Sequence, residues 1–212
     1  MFNDFFLGYP PYNVQRYMHP YDAKVEWLKS TGTQYIDTLI NPAVSPMVVA
    51  DIELTNTADT DYWGNNTTGL GAASYIADFA NWALMYYRYG SSSYASVPVQ
   101  IQGRHLVEIG KTVTYDGDLK YTSPNTYQYD ANKQTILLFK SRRGNAASFT
   151  CYSWKLYDGN DLVRDFIPVR IMNNSGVSEG AMWDNVEMKL FKNLGTGSFQ
   201  FGPDKNVEAE NP

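Results

Sequence analysis

Residues 155–203, KLYDGNDLVRDFIPVRIMNNSGVSEGAMWDNVEMKLFKNLGTGSFQFGP, decide the fold, together with residues 25–42, VEWLKSTGTQYIDTLINP. In the first stretch, Leu162 to Val169 alternates, as side chains on a strand must. Leu162, Arg164, Phe166 and Pro168 lie opposite Val163, Asp165, Ile167 and Val169. Asp165 then shares a face with aliphatic residues. Arg164 and Asp165 are therefore candidates for a structural ion pair or for turn bonds, not for catalysis.

Working outward, the middle of the chain reads as strands and turns. Val48 to Leu54 places Val48, Ala50, Ile52 and Leu54 on a core face, with Val49, Asp51 and Glu53 on the other. Residues 55–74 are rich in Asn, Thr, Asp and Gly and read as a long loop carrying Tyr62 and Trp63. Residues 83–89 and 104–109 read as strands separated by a Ser-rich turn at 90–93. Asp116-Gly117 supplies the positive φ of a tight hairpin between Thr112–Tyr115 and Leu119–Tyr121. Residues 134–140 and 148–157 complete the run. Strands at this spacing, without a helical period, predict a sandwich or jelly roll.

Composition agrees. Charged residues are 18% and aromatics 15%, with 17 Tyr, 16 Gly and 10 Pro, which favours strands and tight turns. A chain of 212 residues fits one all-β domain, with one core and an extension. The net charge of −5 gives no attraction for a polyanion, which excludes nucleic acid as the expected partner. No stretch is long enough to span a bilayer as an apolar helix.

A single cysteine, Cys151, leaves no internal disulfide framework and no multi-cysteine zinc site. Its alternating surroundings make it a small core residue. With only His19 and His105 as histidines, no activating base is marked for it. Asp51 and Glu53 project together, the arrangement of a paired-carboxylate glycosidase site and equally of a solvated outer face.

The first 24 residues carry Phe2, Phe5, Phe6, Leu7, Tyr9, Tyr12, Tyr17 and Tyr21. So many large apolar side chains need burial. Gly8, Pro10 and Pro11 oppose a helix, so the segment reads as an extended arm that wraps its own domain or docks on another subunit. It lacks the basic start of a secretory signal, which predicts synthesis in the cytoplasm and makes the Asn65 and Asn66 sequons inconsequential.

Val25-Glu26-Trp27-Leu28 and Ser30 to Thr38 resemble the opening strand block of concanavalin A-like (laminin-G-like) jelly-roll domains of gut bacteria and their phages. Lys155 to Asp158, Leu162 to Arg170, Met182-Trp183-Asp184 and Asn193 to Phe199 resemble the closing block. His105 to Glu108, Tyr115-Asp116-Gly117 and Ile136 to Phe139 resemble the middle hairpins and back-sheet strand. The likeness runs over about residues 24 to 203. Leu70-Gly71 only approximates the usual Phe-Gly step, and residues 175–180 look modified.

The resemblance implies an all-β, concanavalin A-like jelly-roll sandwich of two antiparallel sheets, with first and last strands adjacent. It divides the chain into an extended arm (1–24), the sandwich (25–203) and a polar tail (204–212). It also implies a non-enzymatic phage virion protein, in the capsid, a head fibre or the tail. Its partners are other virion proteins, met through Phe2, Phe5, Phe6, Tyr9, Tyr12 and Tyr17, and a homo-oligomer is expected. The alternatives are a free bacterial carbohydrate-binding or adhesion module, and a glycan hydrolase centred on Asp51 and Glu53. Fold alone does not choose among these.

Sugar binding needs exposed flat rings beside fixed polar groups. Tyr62, Trp63, Asn65 and Asn66 supply that pair of types, as do Trp82, Tyr86, Tyr87 and Tyr89, some of which alternation must bury. Related lectin-like sandwiches use calcium, for which Asp158, Asn160 and Asp161, or Asp59 and Asp61, offer oxygen ligands and equally make ordinary turns. No other cofactor is expected.

Overall fold

The structure, a computed structural model, describes residues 20–54, 61–65, 75–81, 84–91, 93–100, 102–132, 134–141 and 146–205. Over these residues it is all β. The strands are β1 (Ala23–Lys24), β2 (Leu28–Lys29), β3 (Ile36–Asp37), β4 (Pro46–Leu54), β5 (Asp61–Gly64) and β6 (Tyr75–Asn81). There follow β7 (Leu84–Tyr89), β8 (Ala95–Pro98), β9 (Gly103–Ile109), β10 (Thr112–Tyr115), β11 (Asp118–Thr122) and β12 (Leu137–Leu138). The last are β13 (Thr150–Asp158), β14 (Asp161–Met172), β15 (Ser178–Asp184), β16 (Lys189–Phe191) and β17 (Gln200–Phe201).

They form two antiparallel sheets. The larger runs β11-β10-β9-β4-β13-β14-β15-β16, with β1 beside β14 and β2 between β13 and β17. The smaller runs β3-β12-β5-β6-β7-β8. Their inner faces share a core that includes Val48, Ala50, Ile52 and Leu54 of β4, as alternation predicts, with Trp63, Tyr75, Tyr87 and Phe149. The arrangement is β-sandwich-like. An early and a late strand meet in the larger sheet, where Phe201 of β17 pairs with Leu28 of β2. That contact removes two edges that would otherwise seek strands.

The hairpin read at Asp116-Gly117 is present: both residues have positive φ, 51° and 83°, and join β10 to β11 in the twist-matched turn. In β14 the buried face carries Arg164 and Phe166, and Asp165 shares the other with Ile167 and Val169. Arg164, 3% exposed, donates to the Thr38 and Val163 carbonyls and pairs with Asp184 at 3.5 Å and Glu187 at 2.7 Å. Asp165 instead faces Lys155 at 3.7 Å.

Four expectations are corrected. The single core is joined by a smaller cluster of Val169, Ile171, Ala181 and Trp183 on the far face of β14 and β15. Tyr21 packs edge-on against Trp183 at 5.5 Å, and Ala23–Lys24 pair with β14, so the end of the expected arm belongs to the sheet. The polar tail likewise begins as structure: Asp204 takes Arg170 through both oxygens, at 3.1 and 2.8 Å. Residues 61–64, read as loop, are β5, held between β12 and β6. Phe2, Phe5, Phe6, Tyr9, Tyr12 and Tyr17 lie outside the described residues.

Candidate functional site

Tyr62 and Trp63 cannot serve as a sugar platform, because they are 1% and 0% exposed. Both pack against Phe149, with ring centroids at 5.1 and 6.4 Å, and Trp63 Nε1 donates to the Tyr75 hydroxyl. Asn65 is fully buried as well: its side-chain oxygen accepts the Tyr75 amide and its nitrogen donates to the Tyr127 hydroxyl. The polar sequence on either side hid a four-residue strand that two neighbours enclose. Asn66, Trp82 and Asp59 lie outside the described residues.

The oxygen cluster at 158–161 is a turn with a loop anchored to it. Gly159, at φ 65°, permits the two-residue connection between β13 and β14. The Asp158 carboxylate accepts the amides of Ala43, Val44 and Ser45 at 2.7–2.8 Å, fixing the chain that enters β4. Asn160 and Asp161 complete the turn and open β14. Among the described residues no group of three or more His, Cys, Asp or Glu side chains could hold a metal ion.

Asp51 and Glu53 do share the outer face, and both are engaged there. Arg104 grips both Asp51 oxygens at 2.8 and 2.7 Å and lies 3.6 Å over the Tyr152 ring. Tyr152 donates to Glu53 at 2.7 Å, and burial followed by that bond pushes its phenol up to about 12. Cys151 is fully buried, and desolvation pushes its thiol well above the ordinary range, so it holds no thiolate.

Among the described residues, two clefts open along one margin, where edge strands β8 and β11 of the two sheets face each other. At one end is a cleft of about 190 Å³ lined by tyrosines 87, 89, 94 and 121 with Ser91, Ser93 and Asn125. Its polar groups are positioned: Ser91 Oγ accepts the Ser93 amide, and Ser123 Oγ accepts the Asn125 amide. Its rings are positioned too, Tyr121 edge-on to Tyr87 at 6.0 Å and Tyr94 under the Arg88 guanidinium at 3.7 Å. Tyr87 and Tyr89 are 1% and 3% exposed, so Tyr94 and Tyr121, both half-buried, present the rings. Neither was marked in the sequence. The Ser-rich turn between Tyr89 and Tyr94 was the one available signal, and the approach of β11 from the other sheet had none.

At the other end, a cleft of about 490 Å³ is lined by Val99, Gln100, His105, Tyr115, Asp118 and Lys120, among others. His105 packs tilted against Tyr115 with ring centroids at 4.6 Å, and both its nitrogens are engaged, with Asp116 at 2.7 Å and the Gln102 carbonyl at 3.1 Å. The His105 bond, helped by the Leu106 amide, holds the Asp116 carboxyl below its ordinary value. Because the folded value lies below the unfolded one, this stabilisation is complete above the carboxylate range near about 4 and is lost as pH falls through the folded value. Asp116 is half exposed, so the effect is small. Asp116→Asn, which tolerates the positive φ, is expected to melt about 1–3 °C below the native chain between about pH 5 and 7. The gap should narrow as pH falls through the folded carboxyl value; a gap that stays constant through the acid range assigns the loss to something other than this carboxylate.

Compared with known proteins, the chain matches no family model, no curated protein and no solved structure.

Proposed function

We propose that this chain is a non-enzymatic structural protein of a bacteriophage particle, a capsid decoration, head fibre or tail component, whose concanavalin A-like jelly roll displays a glycan-binding face. The observation that carries the binding half is the cleft lined by Tyr94, Tyr121, Ser91, Ser93 and Asn125. Sugar rings offer C–H faces that stack on aromatic rings and hydroxyls that need fixed donors and acceptors. The cleft supplies both, on the rim of a rigid sandwich where binding groups gather.

The particle half rests on the resemblance of the two end blocks and on the apolar residues 1–19, which as an arm would anchor the module to neighbouring virion proteins. The non-enzymatic reading is supported by the pairing of Asp51 with Arg104 and of Glu53 with Tyr152, which engages both carboxylates within the protein. Several copies on one particle multiply weak sugar contacts.

Two measurements test the proposal. The chain should be present at stoichiometric copy number in purified particles by mass spectrometry. The recombinant protein should bind members of a neutral glycan array, and Tyr121→Ala and Asn125→Ala should each weaken that binding about tenfold or more with the fold retained by circular dichroism. Absence from particles with binding intact would move the chain to a free bacterial adhesion module. No binding to any glycan would remove the lectin-like reading.

A further inference from the structure

We infer that the free edge of β16 is a self-association surface, on which a second copy of this chain adds its own β16 antiparallel and joins the two larger sheets into one. The contact goes beyond the reading above and uses neither the tyrosine cleft nor residues 1–19. Two observations carry it: an edge strand without the usual guards, and a line of exposed apolar side chains that complements itself.

Four strands end the two sheet orders, and three of them are guarded. β11 presents Asp118 and Lys120 and breaks register with β10, and β8 closes on Pro98. β3 is flanked by the segment at Leu194, whose amide donates to the Tyr35 carbonyl. Charges, bulges, proline and covering segments are the means by which edge strands avoid stray pairing. β16 is short but carries none of them, and among the described residues only β15 pairs with it. Its exposed Lys189 reaches back over the Phe191 ring, with the ammonium 5.3 Å from the centroid.

Apolar side chains follow that edge. Val186, Met188 and Leu194 are 43%, 63% and 59% exposed, and half-buried Leu190 lies between them in the chain. Met188 holds φ at 53°, a conformation that suits glycine or asparagine and is uncommon for a bulky residue. The turn bears that strain for a side chain left mostly in water, which points to a role outside the single chain.

The register fits a second copy. A two-fold contact needs a patch that complements itself, and antiparallel pairing centred on Leu190 sets that residue against its own counterpart. Lys189 then meets Phe191, Met188 meets Lys192, and Val186 comes opposite Leu194. No like charges face each other, and the Lys192 stem gains an apolar neighbour in Met188. Because Leu190 pairs with Trp183 and packs on the outer cluster of Val169, Ala181 and Trp183, the contact also brings the two outer clusters together. So short a strand makes a small interface, weak alone and strengthened wherever copies are held side by side.

The test is sedimentation equilibrium on the full chain from micromolar to near-millimolar concentration. A monomer–dimer equilibrium is expected, with amide exchange at Lys189–Phe191 slowing as the dimer fills. Met188→Gly and Leu194→Lys should each weaken association about tenfold or more. Met188→Gly should also leave the melting temperature of the dilute monomer level or raised, because glycine relieves the positive φ. Leu119→Lys, an equally exposed position on the guarded edge of β11, should leave association unchanged. A chain that stays monomeric throughout, association untouched by Met188→Gly and Leu194→Lys, or exchange that does not slow at β16 overturns the inference and leaves the proposed function standing.

Discussion

Trp63→Ala is expected to destabilise the protein by about 3–5 kcal/mol, lowering the melting temperature by between about 6 and 20 °C. The indole is fully buried, pairs across β12 with Leu138, packs on Phe149 and donates to Tyr75. Tyr75 in turn donates to the Ile109 carbonyl at 2.6 Å, so the indole stands at the start of a relay from the smaller sheet to the larger. Truncation leaves a large cavity and weakens that link. Urea denaturation measures the loss directly. If Trp63→Ala keeps native stability and abolishes glycan binding instead, residues 61–64 act as an exposed binding loop and the placement of β5 in the core is wrong.

Arg164→Met should cost about 3 kcal/mol or more, because it strands Asp184, which is fully buried. Asp184 keeps the amides of Asp165, Val186 and Glu187, which sets the loss at the lower end for a broken buried pair. The Thr38 carbonyl also loses its guanidinium donor, freeing the chain that follows β3. Combining Arg164→Met with Asp184→Asn should recover about 1–2 kcal/mol, since the double variant buries no uncompensated charge. Strictly additive losses would show that the two groups contribute independently and that the 3.5 Å approach carries no coupling.

Alternation in Val48–Leu54 and in Leu162–Val169 reports which side chains share a face, because the strand period is two whatever lies around it. The Asp116-Gly117 turn was legible for a similarly local reason, a backbone conformation that few residue pairs adopt. Tyr62 and Trp63 were misplaced because the neighbouring Asn, Thr and Gly residues signal loop, and nothing local reveals that Leu138 and Phe149 enclose them.

The candidate site shows the same division. Asp51 and Glu53 were correctly set side by side, but Arg104 and Tyr152, which engage them, come from β9 and β13. Asp158 offered either a calcium ligand or an ordinary turn in the sequence, while the three amides it accepts are more than a hundred positions away in the chain.

By itself the sequence determined an all-β chain with a small charge, one buried thiol, an exact hairpin turn and end blocks of strand character. These follow from side-chain period, turn chemistry and composition, all of which act over a few residues. Only the tertiary structure decided that the aromatic pair at 62–63 is core, that Arg164 is buried against Asp184, and that β8 and β11 meet to form a margin with a cleft at either end. Those outcomes depend on which strands become neighbours across and between sheets, and sheet pairing joins residues whose separation along the chain carries no periodic trace.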